Sequence, residues 1–596
     1  MFDAIIRNGR VVTPDGVVNC DVGISGGKIA SIGQLDQSAA TQLIDATGKW
    51  LMPGGVDPHA HIEQMSGMGQ MNADTFETAT RSAAMGGTTS VISFAAQQRG
   101  ERLADTMAQY AARAQRGAMI DHAFHMIVSD TSVPNFATDL ADLISAGHRS
   151  IKIFTTYDIG LGDEDILEIL ALARQNGAIV CIHAENDTII ARARKDLIDA
   201  GHTLPRHHAL SRPRVAEIEA VERMCYFAEY KDQPVMLFHI STKEAAEAVR
   251  RARARGAPVW AETCPHYLFM TAEVLDQPDG AKWMCSPPQR GPEDQKALWQ
   301  ALFDDDLQIV SSDHAPYRYD ETGKLSAGAE AGFHLIANGL PGLETRLPLL
   351  FDAMVSKGQL GPEKFVHLTA TAPADLYGLT TKGRIAPGMD ADLVIWDPDR
   401  QTTYLDNDLH DNVGYNPWSG RTITGWPQTV LLRGRILVEN GAFHGDPGKG
   451  RWLKRESLPK DMQRTLPMDR PTAPAQLAIT FLYYRDLPVA MRFYEDVLGL
   501  SLAIDQGWCK IYRICEGAHV GLVDETRGMN KWAPVKPVQL CIRVHDVDAW
   551  YAYAKGLQLD ALSELFQSEP LGIRAFVFND PEGYQIEIQS ATRSGA

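Results

Sequence analysis

The sequence predicts a multidomain protein. Its parts are a (β/α)8 barrel, a small β-unit drawn from both ends of the first 457 residues, and a C-terminal α+β domain of paired βαβββ modules. Three observations predict this. Apolar strand-like runs alternate with amphipathic helical segments for some 300 residues from about residue 55, which favours a barrel, with a doubly wound sheet as the alternative. Glycine-broken strand texture opens the chain and returns after the alternating region. Two similar halves then follow a Pro- and Gly-rich stretch.

The chain has 596 residues, too many for one hydrophobic core. Residues 1–54 hold short strand-like pieces, "AIIRNGRVV", "DVGISGGKIASIG" and "QLIDATGKWLMPG". The region 55–383 carries the runs "TTSVISF", "HAFHMIV", "SIKIF", "AIVCIHA", "VMLFHI", "VWAETC" and "QIVSSD". Between them lie segments such as "DEDILEILALARQNG", with helical apolar spacing and a terminal glycine. Strand texture resumes in 384–457 with "GRIAPGMDADLVIWDPD" and "QTVLLRGRILVENGAF". Residues 458–476 read as a linker, and 477–596 as the paired modules.

Composition excludes several classes of function. Acidic residues number 75 against 57 basic ones, a formal charge of −18. Such a surface repels phosphate backbones and anionic lipid, so neither nucleic acid nor membrane is expected as a partner. No run approaches the roughly 18 apolar residues of a membrane span. The opening "MFDAIIRNGR" has no basic region followed by a long apolar run, so no signal peptide is expected. Eight cysteines without a CxxC pair read as reduced and mostly buried, which fits a cytoplasmic protein.

The chemistry gathers where barrel strands end. His59 and His61 stand two apart in "GGVDPHAHIE", a spacing that sends both rings to one side of a strand. His183 ends "CIHAEN", His239 lies in "LFHIST" and Asp313 in "SSDHAPY". One such histidine is ordinarily a core or loop residue. The ordered set at successive strand ends is a metal constellation.

Lys152, inside the apolar run "SIKIF", then needs an explanation. Four neutral imidazoles and one carboxylate around two dications leave a charge of about +3, so an ammonium there is strongly repelled. A neutral amine, or one snorkelling to solvent, is one reading. The favoured reading is reaction with carbon dioxide to give an anionic carbamate, N6-carboxylysine, that bridges the ions. Two divalent ions are implied, Zn2+ first for an imidazole-rich set, with Mn2+, Co2+ or Fe2+ also admissible.

With these residues in place, the chain resembles the dihydropyrimidinase/D-hydantoinase family of the amidohydrolase superfamily over residues 1–457. The carriers are "PGGVDPHAHIE", "IKIFTTYD", "HAEN", "HALSRP", "ETCPHYL", "CSPPQR", "SSDHAPY", "NGLPGLETRLPLL" and "GRIAPGMDADLVIWDPD". The resemblance implies a barrel flanked by a β-sandwich made from both ends of the region. It also implies a homo-oligomer, tetramer or dimer, acting on a small cyclic amide. By motif, His59 and His61 bind one ion and His183 and His239 the other. Lys152 bridges them, and Asp313 joins the first and serves as general base, then acid. Tyr157 donates to the oxyanion, the alternative being a packed strand-end tyrosine. Ser286 and Asn338 hold the edge of the substrate ring through main-chain groups.

The implied activity is hydrolysis of the ring amide of hydantoins, dihydropyrimidines or related rings. Allantoinase or another cyclic imide hydrolase is the near alternative. A non-catalytic assembly protein, or small-molecule binding centred on the C-terminal domain, is the distant one. Met65, Met68 and Met71 form either a flexible apolar wall for a ring substituent or ordinary packing. Residues 477–592 resemble the vicinal oxygen chelate (glyoxalase/bleomycin-resistance) superfamily through "RDLPVAMRFYEDVLGL" and "FNDPEGYQIEIQ". The four ligand positions fall on Ile479, Gly521, Gln539 and Glu587, an incomplete set, with His519 as a substitute if the register shifts. Tyr483, Trp508, Trp532 and Trp550 are aromatic candidates for a pocket or for core packing.

Overall fold

A computed structural model describes residues 1–66, 69–457, 478–515, 517–528, 531–536, 538–544, 546–569 and 572–591. Met68 and the expected linker lie outside the described residues. The chain divides into two compact units, Met1–Leu466 and Pro467–Ala596.

The first unit is built on eight parallel strands: Gly55–Ala60, Thr88–Ala96, Asp121–Ile127, Ser150–Phe154, Ile179–His183, Val235–Leu237, Val259–Thr263 and Ile309–Val310. All but Trp260 are buried along their length, which is why these segments read as continuous apolar runs. Sequential pairing carries the sheet round, and a parallel bridge between Ala60 and His314 brings the last strand to the first. There His61 N–H donates to the His314 carbonyl at 2.7 Å. Below, the fully buried Arg346 donates to the carbonyls of Val56 and Val310 at 3.1 and 3.0 Å, tying the same two strands.

Strands from both ends of this unit hydrogen-bond into one nine-stranded array. Leu393–Thr403 pairs antiparallel with Trp50–Pro53, which in turn pairs with Phe2–Thr13. The array has its own core, including Ile6, Val22, Leu51, Ile385 and Leu393. A buried ionic knot joins it to the barrel: Lys382 Nζ reaches Asp392 at 2.6 Å, Asp121 at 2.7 Å and Asp390 at 3.0 Å. These carboxylates have the spacing of a cation site, but the ammonium already occupies their centre.

The segment "GKGRWLKR" closes the barrel floor. Gly450 passes so near Ile120 that an added Cβ would lie 1.9 Å from its carbonyl oxygen. Beyond it, the buried Arg455 donates to Ser150 Oγ and the Phe124 carbonyl, both at 2.6 Å. Ser150 begins the strand that carries Lys152, so this extension braces the site from beneath.

The second unit holds two four-stranded sheets of identical order. In the first, Ala478–Tyr484 lies parallel to Ala518–Asp524, followed by Cys509–Cys515 and Ser501–Asp505. In the second, Gln539–Arg543 lies parallel to Gln585–Ala591, followed by Ile573–Asn579 and Phe566–Ser568. Each sheet has one helix after its first strand, beginning at Leu487 or Val547, so the internal repeat is a repeat of structure. Glu587 accepts a hydrogen bond from the Gln539 amide at 2.9 Å. A Cβ on Gly521 would sit 2.4 Å from the Phe481 ring, so packing dictates that residue. Ile479, Tyr483 and Trp508 pack together around Cys509, Ile511 and Val523, and Trp550 packs against the main core of the unit. Trp532 lies under the Arg485 guanidinium at 3.7 Å.

Candidate active site

A cavity of about 370 Å³ opens at the carboxyl ends of the barrel strands. His59, His61, Lys152, Tyr157, His183, His239, Ser286, Asp313 and Asn338 all line it. Residues up to 279 positions apart therefore meet in one place, as the strand-end pattern requires.

His59 is the last residue but one of the first strand, and His61 lies just beyond that strand. Their nitrogens converge on one carboxylate: His59 Nε2 is 2.9 Å and His61 Nε2 3.5 Å from Asp313 Oδ1. The other nitrogen of His59 meets Glu262, and Nδ1 of His61 lies 2.7 Å from Gln64 Oε1. Orienting partners on the far nitrogen leave the near nitrogen facing the common centre, as in metal-binding imidazoles. On the opposite side, the His183 and His239 rings are 4.5 Å apart, and His239 is 5.5 Å from His59. His183 Nε2 is 2.8 Å from Glu185, a buried carboxylate that also pairs with the buried Arg212.

Electrostatics divide these groups. Burial alone would strip His59 of its proton, but Asp313 and Glu262 outweigh it and hold its pKa up at about 9. Burial pushes His183 down to about 4 and His239 well below the usual range. Burial also works against ionised Asp313, yet His59 and His61 hold that carboxyl well below the usual range. Asp313 is therefore an anion flanked by neutral imidazoles and one that shares a proton with it.

Lys152 is fully buried. Its Nζ has no hydrogen-bond partner among the described residues and faces the rings of Phe238, Phe154 and Phe94 at 4.0, 4.7 and 5.8 Å. Burial pushes its pKa down to about 7, against the pull of Cys181 and Asp313. An unpartnered amine so buried, beside four imidazoles and a carboxylate, suits the metal-bridging group expected from the sequence. The ligand atoms of His59, His61 and Asp313 lie within 4.8 Å of one another, a spacing that one ion can span.

Tyr157 stands at the rim, 38% exposed, with its ring 5.4 Å from His183 and 4.7 Å beneath the Arg212 guanidinium. Tyr157, His239 and Asp313 all adopt left-handed backbone, φ +70, +41 and +46. Such conformations are costly for side chains of this size and concentrate at functional sites. The main-chain groups of Ser286 and Asn338 make no hydrogen bond within the protein among the described residues, so both remain free for a ligand.

Among the described residues, Met65 and Met71 do not form the apolar wall that was one of the two readings. Met65 and Met71 pair with each other across a β-bridge, are 38% and 46% exposed, and stand outside the cavity lining. Gln64 and Ser66 line that side, and the apolar lining comes from Phe154, Ile159, Ile190, Phe333 and Ile336. Alternation explains this: with Gln64 and Ser66 turned inward, Met65 turns out. Glu262, Glu185 and Arg212 were not assigned from the sequence. The last two lie inside the motifs "HAEN" and "HALSRP", and Glu262 is a carboxylate in a buried strand, the same signal that drew attention to Lys152.

A strand-end cluster of imidazoles and carboxylates in a β/α barrel defines a metal-dependent hydrolase type of site. The chain belongs to the amidohydrolase family, whose profile matches residues 50–437, and within it to the D-hydantoinase/dihydropyrimidinase branch. It is 39% identical over 460 residues to a D-hydantoinase of Ralstonia pickettii, covering 76% of this chain and 99% of that protein. Against a D-phenylhydantoinase of Escherichia coli the identity is 38% over 456 residues, covering 76% and 98%. The crystal structure of a dihydropyrimidinase from Brevibacillus agri superposes with a TM-score of 0.74 at 38% identity, covering 76% of this chain and 99% of that one. Residues 476–588 match the glyoxalase/bleomycin resistance protein/dioxygenase superfamily.

Proposed function

We propose that this protein hydrolyses the ring amide of a hydantoin, a dihydropyrimidine or a related cyclic imide, yielding an N-carbamoyl amino acid or a comparable ring-opened acid. The observation that carries the reading is the convergence of four histidines, Asp313, the buried Lys152 and Tyr157 on one cavity. The names of the relatives support it.

In this reading His59, His61 and Asp313 hold one divalent ion and His183 and His239 a second, Zn2+ being the first candidate. When bound, such a pair lowers the pKa of water enough to supply hydroxide near neutral pH. Lys152 would add its neutral amine to carbon dioxide, forming an N–C bond as one C=O π bond opens and a proton leaves, and the carbamate would serve as an anionic ligand beside the histidines. Main-chain groups of Ser286 and Asn338 hold the ring edge. Asp313 takes the proton of the attacking water and returns it to the ring nitrogen as the carbon–nitrogen bond breaks. Tyr157 donates its hydroxyl to the oxygen on which charge develops.

The test is a hydrolysis screen over hydantoins, dihydrouracils, allantoin and simple imides with added divalent metals, beside metal analysis of the same protein. Ring opening that tracks metal content is expected. A protein that carries no metal and opens none of these rings refutes the reading and revives an assembly role.

A further inference from the structure

Lys324 is fully buried, in the loop that runs between Asp313 and Asn338. Two carbonyls are the only partners of its Nζ among the described residues: Met284 at 3.2 Å and Ala337 at 3.0 Å. Among the described residues no carboxylate pairs with it. A buried lysine without a counter-ion is expensive to keep, so its geometry calls for a function.

The two carbonyls define that function. Met284 lies two residues before Ser286, and Ala337 directly precedes Asn338. Around them three of the four carbonyls of residues 284–287 are engaged by protein. Met284 O also accepts from Gly339 N–H at 2.8 Å, Cys285 O contacts His208 Nε2 at 2.8 Å, and Pro287 O accepts from Tyr267 OH at 2.7 Å. The main-chain groups of Ser286 and Asn338 make no hydrogen bond among the described residues. The engaged neighbours constrain where the free groups point.

Two glycines let this assembly close. At Gly339, φ +150, an added Cβ would lie 2.2 Å from the Ala315 carbonyl oxygen, so the Asn338 segment is pressed against the chain just past Asp313. At Gly323 an added Cβ would lie 2.2 Å from the Arg318 carbonyl oxygen. That close approach, with Lys324 N–H donating to the same oxygen at 2.8 Å, turns the loop so that Lys324 enters the interior.

We propose that Lys324 is a positioning residue that clamps the 284–287 and 337–339 segments into one rigid edge for recognising the substrate ring. The inference rests on the proposed hydrolysis and on the ring-edge role of Ser286 and Asn338. Burial pushes Lys324 down to about 7. The neutral amine keeps two N–H donors, one for each carbonyl, so the clamp holds in either protonation state.

Contacts to the ring edge are made equally in the bound substrate and in the transition state, so loosening them acts on KM more than on kcat. The test compares full-length wild type with Lys324→Met, which keeps the side chain's length and removes its donors. Lys324→Gln, which keeps a donor with shorter reach, is the second variant. With 5-phenylhydantoin and dihydrouracil, Lys324→Met is expected to raise KM about tenfold while kcat changes less than about threefold, with Lys324→Gln between it and wild type. Metal content stays at the wild-type level. Amide hydrogen exchange should accelerate in residues 284–289 and 336–340 and remain unchanged at His59, His183 and His239.

An unmoved KM with unmoved exchange in a folded variant overturns the clamp. Accelerated exchange throughout the chain in both variants also overturns it, leaving Lys324 a general stability residue. If the wild type opens neither ring, the hydrolysis reading fails, and the exchange comparison still decides whether Lys324 holds the two segments.

Discussion

Tyr157→Phe separates the oxyanion role of the phenol from its packing. The ring contacts, with Arg212 at 4.7 Å, His183 at 5.4 Å and Phe154 at 6.2 Å, are ones that phenylalanine retains. The left-handed backbone at this position burdens either residue alike. Arg212 stays paired with Glu185, so no charge is uncovered. Only the hydroxyl is lost, and removing one such donor costs about 2.7–4 kcal/mol of transition-state stabilisation, roughly 10²–10³ in kcat. KM should change less than about twofold, because the ring edge is held elsewhere. Stability should shift by less than about 1 kcal/mol. Initial rates over a range of hydantoin concentrations, with metal analysis on the same samples, measure all of this. A kcat within about threefold of wild type at normal metal content refutes the oxyanion role. A raised KM with unchanged kcat makes Tyr157 a binding residue instead.

Four further outcomes follow from the same geometry. Lys152→Ala should lose bound metal and turnover together, with partial recovery on adding a short carboxylic acid; wild-type metal content and rate in this variant refute the bridge. His59 carries a proton up to about pH 9 without metal, so an ion must displace that proton. Metal affinity should therefore rise as pH rises toward 9, and a chelator competition that reads the same affinity at pH 7 and 8.5 contradicts the His59–Asp313 pairing. Glu185→Ala leaves the buried Arg212 without its partner and should cost about 3–5 kcal/mol in urea unfolding, where a loss under about 1 kcal/mol shows that the pair is solvated. A chain ending at residue 457 holds all nine residues assigned a role in the cavity and should keep wild-type kcat/KM; a large loss assigns the C-terminal unit a part in catalysis.

The barrel was legible because its strands are buried on both faces and so appear as unbroken apolar runs with helical segments between them. The cluster that lines the cavity was legible for a related reason. His59, His183 and Lys152 interrupt those runs with groups that are costly to bury, and each interruption falls at a strand. Glu262 sends the same signal inside "VWAETC", but one buried glutamate does not say which imidazole it faces 203 residues away. Lys324 was hidden for the opposite reason. It stands in a polar loop where a lysine is unremarked, and only its burial and its bonds to two carbonyls in the fold reveal that it points inward. The methionine segment shows the limit of composition. Richness in Met left an apolar wall and ordinary packing equally open, whereas side-chain alternation around Ser66 decided which residues there face the cavity.

The left-handed conformations at Tyr157, His239 and Asp313 bear on how the site and the fold depend on each other. Each costs about 1–3 kcal/mol, together a substantial part of the roughly 5–15 kcal/mol by which a domain is stable. They persist because their neighbours are fixed by the barrel itself. Phe238 N–H donates to the Ile182 carbonyl at 3.0 Å and Ile240 N–H to the Glu262 carbonyl at 2.8 Å, so the strands on either side pin the residue between them. His314, next to Asp313, is held by the bridge to Ala60. The sheet thus places these side chains, and the strain is carried by the protein rather than relieved by relaxation of the loops. Ion binding adds stability to such a frame without having to order it, whereas in a small zinc module binding and folding are one event.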